Sequence, residues 1–165
     1  MDAIELPRSE WTPLPARAKA MFLFDNVLLY GGVATAVAVA TGIPLVLAAE
    51  WTWYAPIAAL IAVAGITFGS IRGLKSHRNF RWRLDDEGLG VRSGHLWERE
   101  IRMPIQRVQH LNLMRGPWQR ARQLANLTVY TAGTSHSSVK LRNMDSETAE
   151  AIRAYLSARI DWVDE

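Results

Sequence analysis

Arginine is the side chain best placed to do chemistry in this 165-residue chain, and it is unevenly spread. From Arg72 to Arg122 twelve Lys or Arg stand against five Asp or Glu, although the formal net charge of the whole is only +3. A guanidinium presents a planar fork of donors that matches carboxylate and phosphate, so clustered arginines can recognise an acidic partner or an anionic headgroup. Arg107, Gln109, His110, Arg115 and Arg120 form the candidate partner- or anion-binding set. For Arg107, Arg115, Arg120 and Arg122 the competing reading is structural: pairing with Glu98, Glu100 and backbone carbonyls where strands change direction.

The residues needed for catalysis are not gathered anywhere. There is no cysteine, which excludes a disulfide framework, a thiolate metal site and a thiol nucleophile. His77, His95, His110 and His136 lack paired ligand spacing, so no metal is expected. The loop from Thr131 to Ser138 collects hydroxyls around His136 but contains no nucleophile elbow, and small polar residues suit an exposed loop. No glycine-rich phosphate loop is present. Asn126-Leu127-Thr128 fits the glycosylation pattern, but it falls in a strand expected on the cytoplasmic side and is discounted. No catalytic, cofactor-binding or metal-binding residue is assigned, and no cofactor is expected.

These residues must be positioned by two unlike halves. No charge falls between Asn26 and Ala49, and after Glu50 none falls from Trp51 to Ile71. Each run is long enough to cross a bilayer, since about 20 residues at 1.5 Å span roughly 30 Å of hydrocarbon. The mean hydropathy of −0.03 conceals this by averaging a greasy first half with an arginine-rich second half. A signal peptide is disfavoured, because the first run is too long, follows some 25 residues that include several charges and is succeeded at once by a second span. Arg8, Arg17 and Lys19 precede the hairpin, and Arg72, Lys75, Arg78, Arg81 and Arg83 follow it. The positive-inside rule then puts both termini in the cytoplasm of a multi-pass inner-membrane protein. Arg72, Lys75 and Arg78 are the membrane-proximal basic group, read chiefly as topology determinants that can also meet anionic lipid.

The sequence Glu50 to Pro56, with Trp51, Trp53 and Tyr54, is expected to form an aromatic hairpin tip at headgroup level. Gly65, Gly69 and Gly73 recur every four residues and so share one helix face, as do Gly32, Ala36 and Ala40. Such faces let backbones approach closely in lipid. Packing within the hairpin, packing between protomers and chance in an alanine-rich chain all remain open. Pro44 is expected to kink the first span. Neither charge-free run holds an ionisable residue suited to a proton relay or ion pathway.

Beyond Ile71 the pattern shortens to period two. Strands are expected at Phe80–Leu84, Leu89–Arg92, His95–Met103, Val108–Met114, Leu127–Thr131 and Val139–Leu141, with turns at 85–88 and Ser93–Gly94. Pro104 stops the third strand, and Gly116-Pro117 breaks the chain before a short helical turn over 118–123. Asp145 or Ser146 can cap a last helix whose apolar stripe is Ala149, Ile152, Leu156 and Ile160. Trp82, Leu84, Leu89, Val91, Leu111, Val129 and Leu141 are the expected sheet core. The organisation is an N-terminal cytoplasmic segment (1–24), a two-span hairpin (25–74, spans about 26–49 and 51–71) and a small α+β domain (75–165).

In that last part the order of motifs resembles a family. Arg83-Leu84-Asp85-Asp86-Glu87-Gly88-Leu89, Arg92-Ser93-Gly94-His95-Leu96-Trp97, Pro104-Ile105-Gln106-Arg107-Val108-Gln109-His110, Gly116-Pro117-Trp118-Gln119-Arg120 and Thr131-Ala132-Gly133 are similar to bacterial pleckstrin-homology-like (PH-like) domains of the YdbS type, formerly DUF304 and also called bPH2. The resemblance implies a bent, partly closed antiparallel sheet of about seven strands with a C-terminal helix after a two-span hairpin, and it implies no reaction. The expectation is a non-enzymatic, membrane-anchored module that binds a membrane protein partner, or acidic lipid headgroups, at the cytoplasmic face. Its partners would be the bilayer, another membrane protein or a second copy, and anionic lipid. An enzyme of unrecognised type and a basic nucleic-acid-binding domain are the alternatives. No nucleic acid is expected, because charge alone is weak evidence for it and the membrane competes for the same basic surface.

Overall fold

The computed structural model describes residues 10–47, 51–94, 97–131 and 138–160. They form two compact units, one made by residues 19–77 and the other by residues 1–18 together with 78–165.

The first unit is a pair of helices, α1 (Lys19–Leu47) and α2 (Trp51–Asn79). Apolar side chains such as Leu28, Leu29, Val33, Leu60, Val63 and Phe68 point outward, an arrangement that a water-facing protein avoids and a lipid-facing one requires. The chain is a membrane protein with a transmembrane hairpin. Trp51, Trp53 and Tyr54 lie in the opening turns of α2 and not in a connecting loop, which corrects the expected aromatic tip. Backbone amides in lipid must be satisfied within the segment, so the helix starts as early as the chain allows. The helix also continues unbroken through Pro44.

Gly65, Gly69 and Gly73 all lie against the backbone of α1. A Cβ at Gly69 would stand 2.8 Å from the Asn26 carbonyl oxygen, and one at Gly73 2.7 Å from that of Phe22. At Gly65 it would collide with the Ala34 side chain and the Tyr30 carbonyl. The opposing face of α1 is not the expected Gly32, Ala36 and Ala40, which are all exposed, with open space beside Gly32. Gly31, Ala34 and Ala38 take that role. An alanine-rich helix that is apolar all round offers several small faces, and spacing alone does not choose among them.

Among its described residues the second unit holds seven strands in two antiparallel sheets. β1 (Thr12–Pro13), β2 (Arg81–Leu84), β3 (Gly88–Gly94) and β4 (Glu98–Pro104) pair in that order, and β5 (Val108–Met114), β6 (Leu124–Thr131) and β7 (Ser138–Asp145) form the other sheet. A 3₁₀ turn over Ile105–Arg107 joins the sheets, α3 (Pro117–Ala121) links β5 to β6, and α4 (Ser146–Ile160) packs across β5, β6 and β7. This is a PH-like fold.

The turn between β2 and β3 is built by Asp85, whose carboxylate accepts the N–H groups of Glu87 at 3.2 Å and Gly88 at 2.9 Å. Gly88 has φ +158°, and a Cβ there would strike the Met103 carbonyl of the next strand. β3 runs on through Ser93 and Gly94, where a turn was expected, and β4 begins at Glu98; His95 and Leu96 lie outside the described residues. β6 and β7 are longer than their expected cores of 127–131 and 139–141. Asp145 caps α4 by accepting the Glu147 N–H at 3.2 Å.

Trp82, Leu84, Leu89, Val91, Val129 and Leu141 are buried, as are Ala149, Ile152 and Leu156 of the helix stripe. The side chain of Ile160 lies outside the description. Leu111 is the exception in the expected core, being only half-buried. Its strand β5 pairs with β6 alone, so it is covered from one side.

Strand β1 had no signal in the sequence. Thr12 and Pro13 pair with Trp82 and Arg81, Leu14 and Ala18 are buried, and Arg17 donates to Gln123 Oε1 at 2.8 Å and forms an ion pair with Asp145. The segment before the hairpin is therefore part of the PH-like unit.

Candidate functional site

The Gly116-Pro117-Trp118-Gln119-Arg120 motif builds α3 by a local rule. Pro117 starts the helix, where its missing N–H is no loss, and Gln119 folds back so that its Oε1 accepts the Gly116 N–H at 2.9 Å. The other end of the same amide donates to Asn143 Oδ1 at 2.7 Å, and both side chains are buried. Asn143 has φ +53° at the irregularity between β6 and β7, where Asn126 Oδ1 accepts its N–H at 2.8 Å. Asn126, part of the discounted glycosylation pattern, is thus a structural residue.

With Gln119 turned inward, Trp118 and Arg120 turn outward. Trp118 is 68% exposed, and Met114, at the end of β5, is 57% exposed. The β5–β6–β7 register sets His110 beside Tyr130 and Met114 beside Asn126, with Lys140 across from Thr128. One face of this sheet therefore carries His110, Asn112, Met114, Tyr130 and Lys140, while Leu127, Val129 and Leu141 of the opposite face are buried beneath α4. Aromatic residues, methionine and arginine are the types enriched where proteins meet.

The arginines divide. Arg115 is tied to Glu150 of α4 by an ion pair, a structural role. Glu98 and Glu100 are engaged by Arg92 and Arg102, which corrects their expected pairing with Arg107, Arg115, Arg120 and Arg122. Arg107, Arg120 and Arg122 are exposed and have no ion pair among the described residues. Gln109 and His110 are exposed on β5. The structure brings His110 to the same sheet face as Met114 and Tyr130, whereas Arg107 sits at the 3₁₀ turn before the strand. Of the membrane-proximal group, Arg72 stacks over the Tyr30 ring at 5.5 Å within the hairpin, and Lys75 and Arg78 are exposed on the last turns of α2. No three His, Asp or Glu side chains converge among the described residues. The hydroxyl-rich loop around His136 lies outside them.

Sequence reasoning missed Trp11. Its ring lies beneath the guanidinium of Arg92 at 4.8 Å and near that of Arg83 at 5.2 Å, and Gly90 leaves the room, since a Cβ there would stand 3.3 Å from the indole. Cation–π stacking of this kind pins the pre-hairpin segment to the sheet. The only advance signal was a lone tryptophan ahead of the first span.

The model of the bacterial PH domain matches residues 20–160, hairpin and sheets together. The chain belongs to the bacterial PH domain family. This bacterial PH-domain chain is also similar to the UPF0699 transmembrane protein YdbS of Bacillus subtilis (strain 168), with 27% identity over 81 residues, 49% of each chain. It thus spans about half the length of the curated relative it matches. No solved structure matches. The bacterial PH domain is not a known enzyme class.

Proposed function

We propose that this chain is a non-enzymatic, membrane-anchored PH-like module that holds another membrane protein at the cytoplasmic face of the bacterial inner membrane. The observation that carries the reading is the set of exposed interface-type side chains on the second sheet and its linking helix: His110, Met114, Tyr130 and Lys140 on one face of β5–β6–β7, and Trp118 and Arg120 on α3. Its chemistry suits an acidic partner surface with an apolar patch. Anchorage by two spans already localises the protein, so further affinity for lipid is not needed for that purpose. The Lys and Arg flanking both ends of the hairpin support cytoplasmic termini.

The test is purification of the full chain in a gentle detergent, with and without the changes Trp118→Ala, Met114→Ala and Arg120→Gln made together. A partner that co-purifies with the wild type and is lost from the triple variant, at unchanged melting temperature, supports the reading. Retention of every partner overturns it, and self-association abolished by the same changes would name a second copy as the partner. Reporter fusions at both termini test the orientation, and a periplasmic signal from either would remove the cytoplasmic partner. Acidic lipid headgroups are the second reading, favoured by Arg72, Lys75 and Arg78 directly beyond the apolar run, where each basic residue near the surface is worth about 1 kcal/mol.

A further inference from the structure

On the four-stranded sheet a cavity of about 430 Å³ is lined by Arg78 and Asn79 at the end of α2, Arg81 of β2, Arg92 of β3 and the backbone at Ser93–Gly94. Three guanidinium groups face one carboxylate there, that of Glu98. Glu98 is already held by Arg92, whose Nε lies 3.0 Å from its Oε1. Arg78 and Arg81 have no carboxylate partner among the described residues.

Arg81 and Arg92 stand directly opposite each other across the β2–β3 ladder. Like charges in that position repel. Arg92 is compensated by Glu98, Glu100 and the Trp11 ring, whereas Arg81 has no such compensation among the described residues. A bound anion would supply the missing counter-charge, and the planar forks of several arginines match the oxygens of a phosphate group better than point charges do.

The end of β3 that lines the cavity is fixed in place. Asn79 donates from Nδ2 to the Gly94 carbonyl at 2.8 Å, and Gly94, at φ +143°, has no Cβ because one would collide with the Trp97 carbonyl. Arg78 belongs to the helix that carries the second apolar run and lies seven residues beyond Ile71, roughly 10 Å along an α-helix. That distance keeps it within side-chain reach of a headgroup layer.

We propose that the Arg78–Arg81–Arg92 cavity is a phosphate-group binding site, filled either by the headgroup of an anionic phospholipid or by a free phosphate. The site uses residues of the first sheet, whereas the partner surface lies on the second, and it does not depend on the partner reading. The exposed Trp97, directly before β4 and 88% accessible, favours the lipid source, since such rings settle at headgroup level.

The experiment uses the full chain in a neutral, phosphate-free detergent, titrated separately with inorganic phosphate and with short-chain phosphatidylglycerol below its micelle concentration. Binding is read by native mass spectrometry and hydrogen exchange. The expected result is one bound equivalent, with protection of residues 78–81 and 92–94. Arg78→Gln with Arg81→Gln should weaken binding at least tenfold, Arg81→Lys by less, and Glu98→Gln should tighten it severalfold by removing the one repelling carboxylate. Arg122→Gln with Arg153→Gln, both exposed and away from the cavity lining, is the control and should change nothing. Binding of phosphatidylglycerol alone identifies a headgroup site, and equal, competitive binding of inorganic phosphate identifies a free-phosphate site. No binding of either probe by the wild type, or protection confined to residues 107–122, overturns the proposal. If the double variant does not fold, hydrogen exchange on the wild type still separates these outcomes.

Discussion

Gln119 uses both ends of its amide inside the PH-like unit, toward Gly116 and toward Asn143, and a buried donor left without its partner costs about 1–3 kcal/mol. Gln119→Ala is therefore expected to lower the melting temperature of the detergent-solubilised full chain, while Arg120→Ala one position on leaves it unchanged. Glu100 makes a different kind of link. Arg102 Nε at 2.9 Å, and then Arg92 Nη2 at 3.0 Å, hold its carboxyl below the usual carboxylate range. A depressed folded-state pKa stabilises the fold fully above the unfolded value and loses that contribution as the pH falls through the folded one. Comparing melts of wild type and Glu100→Gln should show the wild type slightly ahead at neutral pH and the gap closing on acidification. The gap will be small because the cluster is exposed to solvent, and a gap that widens in acid would contradict the assignment. Such pairings could not be read from the sequence, because the acids that meet Arg115 and Arg17 are brought there by folding from 35 and 128 positions away.

At the scale of elements, the hairpin offers a matched pair of substitutions. Gly69→Ala forces a Cβ to within 2.8 Å of a backbone oxygen of α1, whereas Gly32→Ala meets nothing within 4 Å. The first should loosen the helix pair and the second should not, as read by cross-linking between single cysteines introduced on facing positions of α1 and α2. Equal cross-linking in both would remove the glycine seam as the packing device. In the other unit, Leu156 is fully buried where α4 lies on the sheet, and Leu156→Ala should cost about 2–5 kcal/mol, measured by denaturant unfolding. Most of this level was legible. Period-two runs located six of the seven strands, a cap and an apolar stripe located α4, and charge-free length located both spans. What escaped has physical reasons. β1 has two residues, too few for any periodicity, and the face of α1 that meets α2 is one of several equivalent small-residue faces. The length of β3 depends on how far the β3–β4 ladder zips, which is set by pairing and not by local composition.

At the scale of the whole molecule, the transmembrane hairpin is an insertion within the PH-like unit and not a preface to it, since residues on both sides of it contribute to one sheet. Deletion of residues 10–18, or Trp11→Ala with Arg17→Ala, should therefore destabilise the sheets although no residue of the later domain is touched. Limited proteolysis within 78–94 would report it, and unchanged protection would show that β1 is dispensable. The same connectivity sets an order in time. Pro13 leaves the ribosome about 70 residues before Arg81, the residue it pairs with, and in between the chain must be threaded through the bilayer and back. The earliest-made strand thus waits, unpaired, for the return of the second helix. Completion of the sheet then reports successful insertion, and a protomer whose second helix fails to cross leaves its first strand on the far side of the membrane from its partner.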